Sequence, residues 1–410
     1  MKQGWEIKKL GEVCEVITKG TTPTSLGFKF TDEGVNFIKV ESLTESGQII
    51  PNKVAYISEE CHESLKRSQL KENDILFSIA GALGRIGIVN KAIVPANTNQ
   101  ALAIVRLAKN SGISVSFLAK YFTSNIISEE IEKLKGGAAQ QNLSLGQLNN
   151  LPIPLPPLPE QQRIVAVLEE AFNAIAKAKT NAEQNLKNTR ELFESYLQEL
   201  FENKGEGWEE KRLEEICFKI TDGSHNPPKG IDYSEYLMIS SKNVNNDFID
   251  LDSPRYLKKE DFISENKRTE VIEGDVLLTI VGTIGRVAVV TNEHKYFTLQ
   301  RSVAVLKPKK DFISSRFLMF SLRNIFEELN ENARGVAQKG LYLNQIRSLE
   351  ISIPKLKTQQ IIVEKIDFLL AETKKLESIY QQKINDLEEL KKSVLQKAFS
   401  GELKTAKALV

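Results

Sequence analysis

Three cysteines, three histidines and three methionines among 410 residues leave little material for thiol, zinc or redox chemistry. The histidines (His62, His225, His294) are scattered and no Cys-x-x-Cys occurs, which argues against a zinc site. Cys14, Cys61 and Cys217 are too few for a disulfide framework. Cys14 and Cys217 sit on an apolar pattern (Leu10, Val13, Cys14, Ile17 in the first case) and read as inert core thiols. No apolar run approaches the ~20 residues of a membrane span. The opening Met1-Lys2-Gln3-Gly4-Trp5 lacks the apolar stretch of a signal peptide. Together these features predict a cytosolic protein with no membrane association. A net charge of +1 means that any basic surface is local and balanced by acidic regions elsewhere. There is no phosphate loop, and Gly81-x-x-Gly84-Arg85-x-Gly87 lacks the helix that a dinucleotide fingerprint requires, so no cofactor is expected.

Proline and glycine are missing altogether from residues 160–204. Apolar or small residues recur there in steps of three and four: Ile164, Leu168, Ala171, Ile175, Ala178, Ala182, Asn185, Thr189, Leu192, Tyr196 and Leu200. That spacing predicts a coiled-coil helix of about 45 residues, roughly 65 Å long. A twin follows 198 residues later, from Ile362 and Ile366 to Val394 and Ala398. Such seams must be buried, and two helices packed antiparallel on each other bury both. Phe193, Leu197, Phe201, Leu395 and Phe399 lie off the seam and are expected to dock partner subunits.

The twin helices are part of a larger duplication. Trp5-Glu6 returns as Trp208-Glu209, and Gly81-x-x-Gly84-Arg85 as Gly282-x-x-Gly285-Arg286. Gln100 is matched with Gln300, and Gln161-Gln162 with Gln359-Gln360, while the offset drifts only from 203 to 198. A period near 200 residues is a duplicated domain rather than a solenoid repeat, and it predicts pseudo-twofold symmetry. The fold class expected is α+β. Two similar globular domains are separated by two long antiparallel helices, with boundaries at 1–157, 158–204, 205–355 and 356–410.

Within each repeat a short helix is expected (Ile7–Val16, Lys211–Lys219), then a polar loop and a strand (Asn36–Val40, Tyr236–Ser240). A hairpin follows (Ile75–Ala80 with Ile86–Val89), then a helix (Ser116–Leu134, Ser315–Leu329) and a Gly/Gln-rich loop. The loops differ most between repeats while their frame is kept. If these loops bind DNA, as the family resemblance given below implies, base reading uses polar and basic side chains on protruding backbone, and phosphate gripping uses lysine and arginine. The candidates are Thr18, Lys19, Thr21, Thr22, Lys39, Arg85, Gln140, Gln141 and Asn142 in the N-terminal repeat. In the C-terminal repeat they are Ser224, His225, Asn226, Lys229, Ser240, Lys242, Asn243, Arg286, Gln338 and Lys339. The duplicated Arg85 and Arg286 stand out as phosphate ligands; the structural alternative is an ion pair with the duplicated Asp74 and Asp275.

Several of these segments carry a family resemblance. They are Thr-Lys-Gly-x-Thr-Pro at 18–23, Thr-Asp-Gly-Ser-His-x-x-Pro at 221–228, and Gly-Asp-Val-Leu-Leu at 274–278. Leu-Pro-Glu-Gln-Gln-Arg-Ile-Val at 158–165 and the ending from Leu390 to Leu403 complete the set. Over its whole length the chain resembles the specificity subunits of type I restriction–modification systems. The resemblance implies two target recognition domains, each reading one half of a split, asymmetric sequence in double-stranded DNA. It also implies helices that set the spacing and hold two modification (methyltransferase) subunits, with restriction and translocase subunits joining through the complex. The chain itself would be non-catalytic. Departures are mild: Lys355-Leu356-Lys357-Thr358-Gln359-Gln360 lacks the usual Pro-Glu. Two other readings compete, a coiled-coil assembly scaffold and a methyltransferase in its own right. The latter rests on Asn226-Pro227-Pro228, but Lys229 stands where a base-stacking aromatic would follow.

Overall fold

A computed structural model describes residues 5–44, 47–134, 142–292, 296–332 and 340–403, with backbone alone over 327–332. Gln140, Gln141, His294, Gln338 and Lys339 lie outside the described residues. The chain divides into two compact units, residues 1–183 with 381–410, and residues 184–380. These differ from the linear boundaries expected above because each long helix contributes to both units.

The first unit begins β1 (Glu6–Lys9), α1 (Leu10–Val13), β2 (Cys14–Lys19), β3 (Val35–Ile38), β4 (Ala55–Ile57) and α2 (Glu59–Ser64). It continues β5 (Ile75–Ser78), β6 (Ile86–Ile88), β7 (Ala96–Thr98), β8 (Leu102–Leu107), α3 (Val115–Phe122), α4 (Asn125–Leu134), α5 (Leu145–Asn149) and β9 (Pro152–Leu155). The long α6 (Leu158–Glu202) follows. The second unit repeats this order as β10 (Glu209–Arg212), α7 (Leu213–Ile216), β11 (Cys217–Asp222) and β12 (Leu237–Ile239). A small hairpin, β13 (Val244–Asn245) and β14 (Phe248–Ile249), comes next, then β15 (Arg255–Tyr256), α8 (Lys259–Thr269), β16 (Val276–Thr279) and β17 (Val287–Val289). After them come β18 (Phe297–Leu299), β19 (Val303–Pro308), α9 (Ser315–Asn332), α10 (Leu343–Ser348), β20 (Glu350–Ile353) and the long α11 (Leu356–Ser400).

Each unit holds a four-stranded antiparallel sheet, β2-β8-β5-β6 or β11-β19-β16-β17, and a three-stranded mixed sheet, β4-β3-β7 or β15-β12-β18. The ladders share one register: Ile75 faces Val105 as Val276 faces Leu306. β5 and β16 are buried on both faces, which is why they read as continuous apolar runs rather than alternating ones. Phe117 and Phe122 cover one face of the first sheet and Phe317 and Phe320 that of the second.

The short helices expected at the start of each repeat are mostly strand. Glu6–Lys9 pairs antiparallel with Pro152–Leu155, and Glu209–Arg212 with Glu350–Ile353. Prolines in β9 are tolerated because the ladder has only two strands. Cys14 and Cys217 therefore open strands, yet burial pushes both thiols up to about 12, consistent with inert packing. The helix expected over Ser116–Leu134 is broken at Thr123, whose hydroxyl donates to the Lys120 carbonyl (2.8 Å) and ends α3.

The long helices pack antiparallel within each unit. Lys179 pairs with Glu388 (2.5 Å) in the first, and Arg190 with Glu377 (2.6 Å) in the second. Burial follows the expected seam as far as Ala182 and again at Thr189, then steps to Phe193, Leu197 and Phe201, leaving Leu192 69% exposed. An α-helix advances 3.6 residues per turn, so a strict 3.5-residue seam drifts off the contact. The same drift exposes Leu376 and Leu390 and buries Leu370 and Leu395. Phe193, Leu197, Phe201, Leu395 and Phe399 are corrected accordingly. All five are buried in the cores of their own units, Phe399 edge-on to Phe117 and Tyr121, Phe201 against Trp208 and Phe317. They anchor the helices to the globular domains and are not free to dock a partner.

Gln161 and Gln359, both fully buried, fasten each long helix at its start. Gln161 accepts from the Ser114 N–H (2.8 Å) and donates to the carbonyls of Gly112 (2.7 Å) and Pro156 (2.8 Å). Gln359 does the same with the Ser314 N–H and the carbonyls of Phe312 and Pro354. The carboxamide's donor and acceptor are thus both satisfied without water.

Candidate nucleic-acid interface

The polar loops of each repeat leave the sheets at one rim. In the N-terminal repeat β2 ends at Gly20, where a Cβ would fall 1.9 Å from the Thr98 carbonyl oxygen. Gly223 meets the Leu299 carbonyl oxygen in the same way, at 2.0 Å. Only glycine lets the two backbones approach so closely. Thr21 N–H then donates to Thr98 and Ser224 N–H to Leu299. A third loop joins where the Ser241 N–H meets the Ser302 hydroxyl (3.0 Å), and the hairpin glycine Gly282 lies close to Ser241. The chain after each Gly/Gln-rich segment returns to this rim, as the Leu143 N–H donates to Ile79 and the Leu341 N–H to Ile280.

On that common skeleton the chemistry differs. Position by position, Lys19 stands where Asp222 stands, and Thr22 where His225 stands, at the offset of 203 fixed by β2 and β11. Lys19 is exposed. Thr18 faces Ile104 on the ladder, Thr21 accepts from Arg67 (3.1 Å), and Thr22 donates to the Gln100 side-chain Oε1. Lys39 lies over the Phe30 ring (4.3 Å) and near Glu41 (3.9 Å), while Asn142 is exposed. In the C-terminal repeat His225, Asn226, Lys229 and Lys242 are exposed, and the His225 ring contacts Asp222 (2.8 Å).

Not every candidate is available. Asn243 is buried, accepting from the Ser240 N–H (3.0 Å) and donating to the Asp250 carbonyl (3.0 Å), so it holds the loop rather than reading a base. Ser224 is buried beneath the loop. Ser240 and Lys242 remain, lining a pocket of about 220 Å³ with Arg255 and Gln300. Arg255 also donates to the Pro228 carbonyl (3.0 Å), bracing the Asn-Pro-Pro segment. The ladder register matches Gln300 with Asn99 rather than Gln100, since Leu102 is equivalent to Val303.

Arg85 and Arg286 do not pair with the duplicated aspartates. Asp74 accepts two bonds from Arg106 (both 2.7 Å) and one from the Lys71 N–H (2.8 Å). Asp275 accepts from Lys307 (2.6 Å) and from the Ile272 N–H (2.9 Å). Arg85 instead lines a pocket of about 330 Å³ with Phe122, Ser128 and Glu132, and Arg286 donates to Asn245 (3.3 Å).

A second duplicated basic motif escaped the sequence reading. Lys66-Arg67-Ser68 returns as Lys267-Arg268-Thr269. Arg67 reaches Thr21, and Arg268 donates to both the side chain and the carbonyl of Asp222. The offset of 201 was visible, but nothing in the sequence placed this segment beside the loops.

Comparison with known proteins agrees with this layout. The family model for the type I restriction modification DNA specificity domain matches twice, at residues 2–186 and 205–389. The chain is 24% identical to a putative type I restriction enzyme MjaX specificity subunit of Methanocaldococcus jannaschii, over 98% of this chain and 94% of that one. It is also 24% identical to the EcoKI specificity subunit of Escherichia coli K12, over 98% and 90%. Among solved structures, one from a study of complex assembly and conformational transition of the type I R-M system has a TM-score of 0.79 at 21% identity, covering 98% of this chain and 99% of that one. The HsdS subunit from Thermoanaerobacter tengcongensis has a TM-score of 0.62 at 20% identity and covers 98% of each. At these identities the structural likeness establishes the fold.

Proposed function

Because the chain belongs to the type I restriction modification DNA specificity family, we propose that it selects the DNA site of a restriction–modification complex and performs no chemistry itself. One observation carries this reading: two repeats share a backbone down to the carbonyl beneath Gly20 and Gly223, yet present different polar loops from it. A shared frame with divergent donors and acceptors suits two readers of different base sequences, since bases are distinguished by the pattern of groups at the groove. The readers proposed are Lys19, Thr22, Lys39 and Asn142 in the N-terminal repeat, with Gln140 and Gln141. In the C-terminal repeat they are His225, Asn226, Lys229, Ser240 and Lys242, with Gln338 and Lys339. Thr18, Thr21, Ser224 and Asn243 shape the loops from beneath.

Methyltransferase and restriction subunits supply the chemistry in this reading, and two modification subunits assemble with one chain. Their docking surface lies elsewhere than the five buried apolar residues at the helix ends. The methyltransferase reading of Asn226-Pro227-Pro228 is disfavoured by the loop itself. Pro228 is held through its carbonyl by Arg255, and exposed Lys229 follows in place of an aromatic.

The test is an exchange of residues 205–355 for the matching region of a relative with a known target, followed by sequencing of methylated adenines in the host. One half of the methylated sequence should change and the other persist. A change in both halves, or in neither, contradicts the two-reader function.

A further inference from the structure

We propose that Lys66-Arg67 and Lys267-Arg268 are paired grips on the DNA sugar–phosphate backbone, one for each half-site. The inference rests on the DNA-reading function and adds the ligand of a site outside the base-reading loops. Its starting point is a contrast inside the molecule. Around the rim the polar side chains differ between repeats, Lys19 against Asp222 and Thr22 against His225. The basic pair is kept in both.

Retention for folding alone would retain the partner as well, and the partner is not retained. Arg67 donates to a neutral hydroxyl, that of Thr21, while Arg268 donates to the Asp222 carboxylate and carbonyl. The folding role is visible elsewhere in the same domain, where Asp74 and Asp275 keep cationic partners in matched positions, Arg106 and Lys307. The residues beside the basic pair are also structural: Ser68 and Thr269 are fully buried, Ser68 accepting from Asn97. The pair itself faces outward, and the side chains of Lys66 and Lys267 make no ion pair or hydrogen bond among the described residues.

Placement supports the same conclusion. Both arginines touch the loop at the point where it leaves β2 or β11, so the lysines ahead of them flank the base-reading surface. They sit on regular backbone, the 3-10 turn Lys66–Ser68 on one side and the last turn of α8 on the other. A cation fixed beside a reading loop positions the duplex without carrying sequence information, and this division of labour is general in DNA recognition. Sequence-neutral contacts are the ones that two readers of different half-sites can share.

The experiment measures binding of the full-length chain to a fluorescein-labelled 40-base-pair duplex of mixed sequence over a series of KCl concentrations. Each phosphate contact adds about 0.9 to the slope of log K against log salt. Lys66→Gln/Arg67→Gln and Lys267→Gln/Arg268→Gln should each lower the slope by about 1.8, and the quadruple variant by about 3.6. Lys66→Gln/Lys267→Gln breaks no bond in the structure, so its expected loss of about 1.8 is independent of loop integrity. Lys177→Gln/Lys375→Gln removes the same charge from the long helices and should leave the slope unchanged. An unchanged slope in the quadruple variant, against a salt-dependent parent, overturns the phosphate grips and leaves the two readers standing. A parent chain whose binding ignores salt overturns both.

Discussion

The two repeats solve one folding problem with different interior chemistry, and the clearest contrast is at α9 against α3. Arg323 is nearly buried between Glu194 of the long helix and Asp247 of the β13–β14 turn, with its guanidinium 4.9 Å from the Phe193 ring. The matched position in the N-terminal repeat is Thr123, which ends a helix. There the long helices are held by Phe172 lying between Lys120 and Lys391, at 5.4 and 5.6 Å. One repeat therefore fixes its helix with a buried ion cluster, the other with an apolar ring and two cations at its face. Buried charges are costly unless every one is matched, so the C-terminal repeat is the more brittle of the two.

Arg323→Ala should make that difference visible. Removing the cation leaves two carboxylates facing each other, and the expected loss is about 3–5 kcal/mol. Thr123→Ala should cost about 1 kcal/mol or less, the value of one hydrogen bond at a helix end. Urea unfolding monitored by tryptophan fluorescence (Trp5 and Trp208 lie in different units) distinguishes the two. Equal losses would erase the contrast.

The glutamine latches predict symmetry instead. Gln161→Leu and Gln359→Leu each strand one buried N–H and two carbonyls, at about 2–4 kcal/mol apiece. The two losses should agree within about 0.5 kcal/mol, read from the same unfolding curves. A marked difference would show that the repeats carry unequal loads at matched sites.

The smallest effect concerns acid. Burial raises the Asp275 carboxyl above its ordinary 3.8, with Lys307 opposing that shift. The folded state then keeps its proton to a higher pH than the unfolded chain does. Just above pH 3.8 it binds more protons, and stability falls as pH rises through that window. Asp275→Asn should flatten this descent just above pH 3.8, measured as unfolding free energy against pH. A slope unaltered by the substitution would remove Asp275 as its source.

Much of this was legible in the residues. The duplication, both long helices, the β5–β6 hairpin and the paired glutamines follow from composition, period and offset. The entry strands were hidden because Glu6–Lys9 is too short to show its period, and only pairing with the proline-bearing β9 reveals it. The seam shifted because a 3.5-residue pattern was laid on a helix that turns every 3.6. Asn243 and Lys66-Arg67 were misjudged or missed for one reason: a side chain's partner depends on contacts between segments far apart in sequence. Asparagine three residues after Ser240 gives no sign that both of its ends are already spoken for.

The latch at Gln161 and Gln359 has a consequence for how such a chain can change. Each carboxamide addresses only main-chain groups, an N–H and two carbonyls, and ignores the side chains that those residues carry. A socket made of backbone accepts any domain that presents the same bend, whatever its sequence. Recombination that replaces one globular domain and retains the glutamine would leave the fastening whole from the first generation. The surrounding loops are then free to drift, because the joint that holds them to the rod asks nothing of them.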